Sequence, residues 1–164
     1  MASPRDIRKL ALLAMYQFDA TKGEDPTSVR DSLDDVETLA DEGLSFVDQR
    51  AEFSAGERDK AFKLARLAFE HRGAADEVLG ELSQEWSVAR MPVVDRSILR
   101  LAYYEMTRVD DSEPKGVVNE AVELAKQFST EQSPGFVNAI LDKVLKRVLA
   151  ADGAGVTDGA VEGG

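Results

Sequence analysis

The most constraining feature of the chain is the spacing of its apolar residues between positions 92 and 148. These residues recur every three or four positions, a period that places them on one face of an α-helix and that a half-buried strand does not show. Short breaks fall at 110–113 and at Ser133-Pro134, and proline suits the first turn of a new helix. The segment therefore predicts three consecutive helices, at about 93–108, at about 114–128 and from Ser133 to about Val148.

The first 90 residues predict four further helices. Two of them follow a serine that has an acidic residue three positions later, which is the pattern of a capping box. The stretch 43–53, between the second and the third helix, predicts a loop or a short turn of helix. The first helix starts at Ser3-Pro4 and ends at Gly23, the second opens at Asp25-Pro26, the third follows the capping box at 54–57 and stops near Gly73, and the fourth runs from 74 or 75 to about Trp86.

These elements predict an all-α fold, a compact bundle of about seven helices over residues 1–149. No strand-like alternation and no repeat of fixed period interrupts the helical pattern. The segment 150–164 is rich in glycine and alanine and also acidic. Such a segment buries too little apolar surface to offset the entropy of ordering it, so we expect a disordered tail.

Composition argues against catalysis and against membrane insertion. The chain has no cysteine and one histidine, His71, so thiolate chemistry and a conventional triad have few possible members. A structural role for His71 at a helix end is favoured over a metal site, and no phosphate-binding glycine loop is present. No apolar stretch reaches the roughly 18–20 residues of a membrane span, and no signal peptide precedes the first helix. We expect a cytoplasmic protein that is not an enzyme and needs no metal or cofactor.

The charge of the chain limits how it can bind nucleic acid. Its formal net charge is −11, whereas proteins that bind RNA alone usually present a basic surface. An RNA role must therefore rest on a local basic patch or on a partner that supplies positive charge. Arg5, Arg8 and Lys9 form one basic group, and Arg90, Arg96 and Arg100 form a second. Ordinary solvated or salt-bridged charge is the alternative for both groups.

Four further side chains admit both a structural and a binding interpretation. Asn119 and Asn138 lie within predicted helices, where they either bond to neighbouring backbone and fix the helix packing or contact a ligand. The structural role is favoured. Trp86 and Phe136 lie at or beside helix ends, and each is more typical of a core residue than of a platform for stacking bases.

Five segments of the chain follow one another in an order typical of a known family. They are ALLAMYQ at 11–17, WSVARMP at 86–92, DRSILRLAYYE at 95–105, VNEAVELAK at 118–126 and FVNAILDK at 136–143. Together they closely resemble the NusB family of transcription antitermination factors, over about residues 5–148. The resemblance implies an all-helical fold of two three-helix halves. It also implies binding of boxA RNA on nascent ribosomal RNA together with the ribosomal protein NusE, which helps RNA polymerase to resist termination.

The resemblance also implies which residues of this chain bind. Pro4 and Asp6 stand where basic residues are usual, and Pro134 and Gly135 replace more polar or basic ones, so we expect weak RNA binding by the chain alone and tighter binding with the partner. The positions matched to RNA contacts are Arg5, Arg8, Lys9, Lys126, Gln132, Ser133 and Phe136. The positions matched to the side that faces the ribosomal protein are Tyr16 and Asp95, with Arg96 beside them.

Two other functions remain open from the sequence. One is a helical protein-interaction module with little RNA binding, which Asp6 and the net charge favour. The other is a stand-alone relative of the RNA-binding domain of an rRNA cytosine methyltransferase, although the catalytic part of that enzyme needs cysteines and the chain has none. A homodimer is also possible, because an apolar face that binds a partner can pair with itself.

Overall fold

The computed structural model describes residues 3–34, 53–84 and 86–163, with side-chain surroundings as far as Ala151. Within these ranges the chain forms seven α-helices and one short 3-10 helix, and no strand. The predicted all-α class is therefore confirmed. The helices are α1 (Pro4–Thr21), α2 (Pro26–Ser32), α3 (Ala55–Glu70), α4 (Arg72–Leu82), the 3-10 helix (Val88–Arg90), α5 (Val93–Arg108), α6 (Pro114–Phe128) and α7 (Ser133–Gly163).

The core forms around α1 and α5. Both helices bury most of their circumference, as the broad apolar stripes of their sequences predict, and α1 packs against α3 and α5. Helix α5 also contacts α3, α4, α6 and α7, so it joins the amino-terminal helices to the carboxy-terminal pair. Phe18 on α1 is buried and packs against the rings of Phe62 and Phe69 on α3.

The capping box at the start of α1 fixes the place where the chain enters the bundle. The backbone N–H of Asp6 donates to Ser3 Oγ at 3.1 Å, and the backbone N–H of Ser3 donates to Asp6 Oδ2 at 3.0 Å. The hydrogen bond from the Ser3 backbone lowers the pKa of the Asp6 carboxyl. Since this box places Arg5 and Arg8 on the first turns of α1, it positions the basic group of the sequence.

Ser3→Ala is expected to lower the free energy of unfolding by about 1 kcal/mol at neutral pH, the usual effect of losing an N-cap side chain. The Asp6 carboxyl has a lowered pKa in the folded state. Its contribution is therefore present above the ordinary carboxyl pKa and is lost as pH falls through the lowered value. Urea unfolding at neutral and acidic pH measures both effects. Ser28→Ala, at an exposed serine inside α2, is the control and should be close to neutral.

Two predicted helix bounds are wrong. Helix α4 begins at Arg72, directly after the break at His71, and ends at Leu82 rather than near Trp86. The reason for the early end is a turn in which Ser83 Oγ donates to the Trp86 carbonyl at 2.6 Å. The second helix is Pro26–Ser32, and the part predicted beyond residue 34, like the predicted loop at 43–52, lies outside the described residues.

Helix α7 is longer than the sequence predicts, because it continues to Gly163 instead of ending near Val148. The helix was predicted to end near Val148 because apolar residues are scarce after Leu149. The backbone hydrogen bonds of a helix do not require apolar side chains, so the helix can continue without them. The division into a domain over 1–149 and a disordered tail over 150–164 stays a prediction. None of the described helices has the length and apolar character of a membrane span.

Candidate nucleic-acid interface

Helices α1 and α6 bring two of the predicted RNA-binding cations together. Arg5 and Lys126 line one shallow depression of about 270 Å³, which also contains Glu120 and Glu123. Arg5 donates from Nε and Nη2 to the two carboxylate oxygens of Glu120, both at 2.9 Å. Lys126 Nζ lies 3.1 Å from Glu123, and both side chains are about half exposed. The depression thus combines two accessible cations with two carboxylates.

Arg8 and Lys9 are less accessible than the sequence suggests. Arg8 Nε lies 3.2 Å from both carboxylate oxygens of Glu105 on α5. Burial is the largest influence on Glu105 and raises its pKa, although the ion pair with Arg8 opposes this shift. Lys9 is buried. Of the basic group on α1, Arg5 is therefore the cation that is best placed to meet a ligand.

A groove of about 550 Å³ lies between the end of α4 and the start of α7. Gln132 and Phe136, both predicted to approach RNA, line it together with Trp86 and Lys143. The Phe136 and Trp86 rings meet edge to face with centroids 5.1 Å apart. Trp86 is exposed, so the prediction that it is a core residue is wrong. The early end of α4 explains its position, because the residue lies in a turn beyond the helix.

Ser133 and Asp95 line the floor of this groove and are both buried. The Asp95 carboxylate accepts hydrogen bonds from Ser129 and from Ser133, the second at 2.9 Å, and both Asp95 and Ser133 are buried. Ser133 Oγ also contacts Thr130 Oγ1 at 2.8 Å. These bonds hold the turn between α6 and α7 against α5. The two side chains that the resemblance assigns to RNA and partner contacts are thus buried and hydrogen-bonded within the chain, and their assignment stays a prediction.

Arg96 takes part in an internal ion-pair network. Its Nη2 lies 2.6 Å from Asp19 Oδ2, and Nη1 donates to the backbone carbonyls of Val88 and Ala89. Arg100 binds the same Asp19 and also Asp76. Salt-bridged charge, the alternative interpretation, therefore describes Arg96 and Arg100 in the structure, while the assignment of Arg96 to the partner side stays a prediction. Tyr16, also predicted to face the partner, is half-buried.

Asn119 and Asn138 do not act as packing residues. Both side chains are exposed on their helices, and neither amide has a hydrogen-bond partner among the described residues. The structural role that the sequence favours for them is therefore wrong. Each lies on the solvent side because its apolar neighbours, including Val118 and Val137, occupy the buried face. Both amides remain available to a ligand.

The depression and the groove adjoin each other through the turn between α6 and α7. The depression includes Lys126 and Gln127, and the groove begins at Thr130. Three residues of extended chain span at most about 10 Å, so Gln127 in the depression and Thr130 in the groove lie within that distance of each other. Two cations line the depression, and the exposed Trp86 and the partly buried Phe136 line the groove. Cations beside aromatic rings are a combination suited to single-stranded nucleic acid.

Sequence reasoning found part of this surface and missed the rest. It placed Arg5, Lys126, Gln132 and Phe136, which the structure brings to the two adjoining sites. It missed Lys143, whose Nζ lies 3.4 Å from the Leu82 carbonyl at the groove. Lys143 lies seven positions after Phe136, on the same face of the helix, and this spacing was an available indication. His71 stacks on Tyr104, and no cluster of metal-binding side chains occurs among the residues described.

Comparison with known sequences gives consistent matches along nearly the whole chain. The profile of the NusB family matches residues 5–146. The transcription antitermination protein NusB of Symbiobacterium thermophilum is 40% identical over 152 residues, which cover 93% of this chain and 95% of that protein. The NusB protein of Geobacter sulfurreducens is 38% identical over 144 residues, or 88% of this chain and 94% of the other.

Solved structures are similar in fold. The structure of T. maritima NusB has a TM-score of 0.67 and 30% identity, and covers 89% of this chain and 93% of its own. A crystal structure of the antitermination factors NusB and NusE in complex with double-stranded RNA has a TM-score of 0.65 at 24% identity. That match covers 87% of this chain and 96% of the other, and it shows likeness of fold.

Proposed function

The chain belongs to the NusB family, and from this premise we propose that it is a transcription antitermination factor. In this proposal it binds boxA RNA of nascent ribosomal transcripts together with the ribosomal protein NusE. The complex then supports processive transcription by RNA polymerase in the bacterial cytoplasm. No catalytic step, metal or cofactor is part of the proposal. One observation supports it most: the cationic depression and the aromatic groove adjoin at the α6–α7 turn.

The groove suits bases, and the depression suits phosphates. Phe136 and Trp86 present ring surface beside Gln132, whose exposed amide can both donate and accept hydrogen bonds. Arg5 and Lys126 can bind phosphate oxygens on the other side of the turn. Ser133 and Asp95 then act by holding the turn in place, and Arg96 acts by tying α5 to α1. We propose this positioning role beside the direct contacts that the family resemblance implies for these three residues.

The charges explain why a partner is part of the proposal. The chain has a net charge of −11, and its two most amino-terminal arginines are paired with Glu120 and Glu105. Long-range repulsion therefore opposes RNA, and these two arginines are not free to compensate for it. A basic partner supplies charge complementarity and further RNA contacts.

The same ion pairs favour the second candidate function, a protein-interaction module with little RNA binding. Arg8 is nearly enclosed with Glu105, and Lys9 is buried, so only part of the basic group can reach a phosphate. The two candidates differ in one measurable quantity, the affinity of the complex with the partner for boxA RNA.

A titration of labelled boxA RNA at one fixed salt concentration, with and without NusE, tests the proposal. We expect weak binding by the chain alone and clearly tighter binding when NusE is present. A scrambled RNA of the same length is the control for sequence preference. Equal affinity with and without NusE contradicts the proposed division of labour. Failure to bind boxA RNA in either condition favours the interaction module.

Phe136→Leu tests the aromatic groove. The leucine keeps apolar packing against Trp86 but removes the ring, and stacking of a base on an aromatic ring typically contributes about 1–3 kcal/mol. We therefore expect RNA affinity of the complex with NusE to fall by about fivefold or more. Tyr104→Leu is the matched control, because Tyr104 is a half-buried aromatic residue stacked on His71, away from the groove. Equal losses for both variants show that the groove is not the site of stacking.

A further inference from the structure

The most accessible cation of α1 is already paired with a carboxylate of the same chain. Arg5 presents Nε and Nη2 to the two oxygens of Glu120, each at 2.9 Å. A guanidinium binds a phosphate through the same two-pronged arrangement, so Glu120 occupies the donors that RNA needs. Arg5 in turn lowers the pKa of Glu120 by hydrogen bonding, which keeps this carboxylate ionised at neutral pH.

Exposure distinguishes this pair from its neighbour. The side chains of Arg5 and Glu120 are 53% and 24% exposed, whereas those of Arg8 and Glu105 are 26% and 9% exposed. An exposed ion pair competes poorly with solvent, but breaking an enclosed pair leaves a desolvated charge behind. A phosphate can therefore replace Glu120 at Arg5 far more easily than it can replace Glu105 at Arg8.

We propose that Glu120 determines the RNA affinity of this surface by competing with phosphate for Arg5, an inference that rests on the proposed function. The depression holds Arg5 and Lys126 against Glu120 and Glu123, so its formal charges cancel. When RNA takes Arg5, Glu120 loses its cation and recruits another from solution. That uptake opposes the counterion release that normally accompanies a phosphate contact. In the native chain Arg5 thus adds little to the salt dependence of RNA binding.

Glu120→Gln removes the competing charge and keeps the size of the side chain. In the complex with NusE we expect binding of boxA RNA to tighten by up to about fivefold at low salt, the usual limit for an exposed ion pair. We also expect the slope of log K against log salt to steepen by about 0.7, the value for one single-strand phosphate. Fluorescence anisotropy at four or more salt concentrations measures both quantities. Glu120→Ala must show the same gain.

Glu70→Gln is the matched control for the change in net charge. Glu70 forms an exposed ion pair with Arg66, in which Arg66 Nε lies 3.5 Å from Glu70 Oε1, and the substitution removes the carboxylate of this pair. Glu70 is the last residue of α3, and its neighbour Phe69 packs on Phe18 near the carboxy-terminal end of α1. Glu70 therefore lies far from Arg5, which is at the amino-terminal end of α1. This variant should leave the affinity and the salt slope close to their native values.

Combining Glu120→Gln with Arg5→Ala separates competition from general electrostatics. The gain should disappear in the double variant, because no guanidinium is left to release. A gain that persists without Arg5, or one that Glu70→Gln reproduces, overturns the competition. So does an unchanged affinity of Glu120→Gln and Glu120→Ala when thermal unfolding shows both to be folded. Absence of RNA binding by the native complex with NusE overturns the proposed function itself and the competition with it.

Discussion

Arg100→Leu is expected to lower the free energy of unfolding by about 3–5 kcal/mol, the range for breaking a buried ion pair by removing one partner. The Arg100 side chain is 9% exposed, and its guanidinium binds Asp76 at 2.7 Å and Asp19 at 3.0 Å. Leucine fills a similar place but leaves Asp76 without its cation and Asp19 with Arg96 alone. Urea unfolding followed by circular dichroism gives the change from the midpoint and the slope.

Arg147→Leu is the comparison that isolates burial. Arg147 also pairs with a carboxylate, Glu81 at 3.0 Å, but both side chains are about half exposed. Such pairs contribute about 0–1 kcal/mol, so this variant should unfold almost as the native protein does. Adding Asp76→Asn to Arg100→Leu should recover part of the stability, because it removes the uncompensated charge. Similar losses for Arg100→Leu and Arg147→Leu contradict the importance of the buried network.

The difference between these two arginines shows what the sequence could and could not predict. Helix starts followed from local rules, and the capping boxes at Ser3 and Ser54 are both present in the structure. The ion pairs of Arg96 and Arg100 instead involve Asp19, which lies 77 and 81 positions earlier in the chain. Spacing along one helix shows which residues share a face, but it does not show which residues of another helix meet them.

For the binding surface as well, some residues could be predicted from the sequence and others depended on contacts between distant parts of the chain. The resemblance to a family supplied Arg5, Lys126, Gln132 and Phe136, which share the two adjoining sites. Burial of Ser133 at the floor of the groove results from tertiary contacts that no local pattern contains. The prediction for the two asparagines was wrong for a related reason. A polar residue near the boundary between the two faces of an amphipathic helix can lie on the buried or on the exposed side. Successive residues are about 100° apart around the helix axis, and the apolar pattern of the sequence does not locate that boundary to within one residue.

Glu120 illustrates a further limit. Its sequence neighbours Asn119 and Ala121 say only that it lies near the edge of the buried face of α6. Its contact with Arg5 joins residues 115 positions apart, so competition for that arginine becomes visible only in three dimensions. The net charge of the chain pointed to a partner, but it gave no indication of which carboxylates oppose RNA locally.

Asp95→Ala is expected to lower the free energy of unfolding by about 2–3 kcal/mol, because hydrogen bonds to a charged group contribute about 1.5–3 kcal/mol. Asp95 is 1% exposed, and its carboxylate accepts hydrogen bonds from Ser129 and Ser133. Alanine removes the acceptor that holds the α6–α7 turn against α5. Because this turn joins the depression to the groove, RNA affinity should fall as well, and it should fall more than affinity for NusE.

Asp142→Ala separates the two contributions in this experiment. Asp142 pairs with Lys146 within one exposed turn of α7, so its loss should change neither stability nor RNA affinity noticeably. Asp95→Asn should have a stability between those of the native protein and Asp95→Ala. The amide oxygen can still accept one hydrogen bond, but the NH₂ group is a donor, so the serine hydroxyl that faces it must rotate to accept. Urea unfolding and anisotropy with boxA RNA, each run on all three variants, measure the order of their stabilities and of their RNA affinities.

If Asp95→Ala weakens NusE binding and leaves RNA binding by the formed complex intact, Asp95 acts at the partner interface as the family resemblance implies. If RNA binding falls while NusE binding persists, the buried carboxylate acts through the turn.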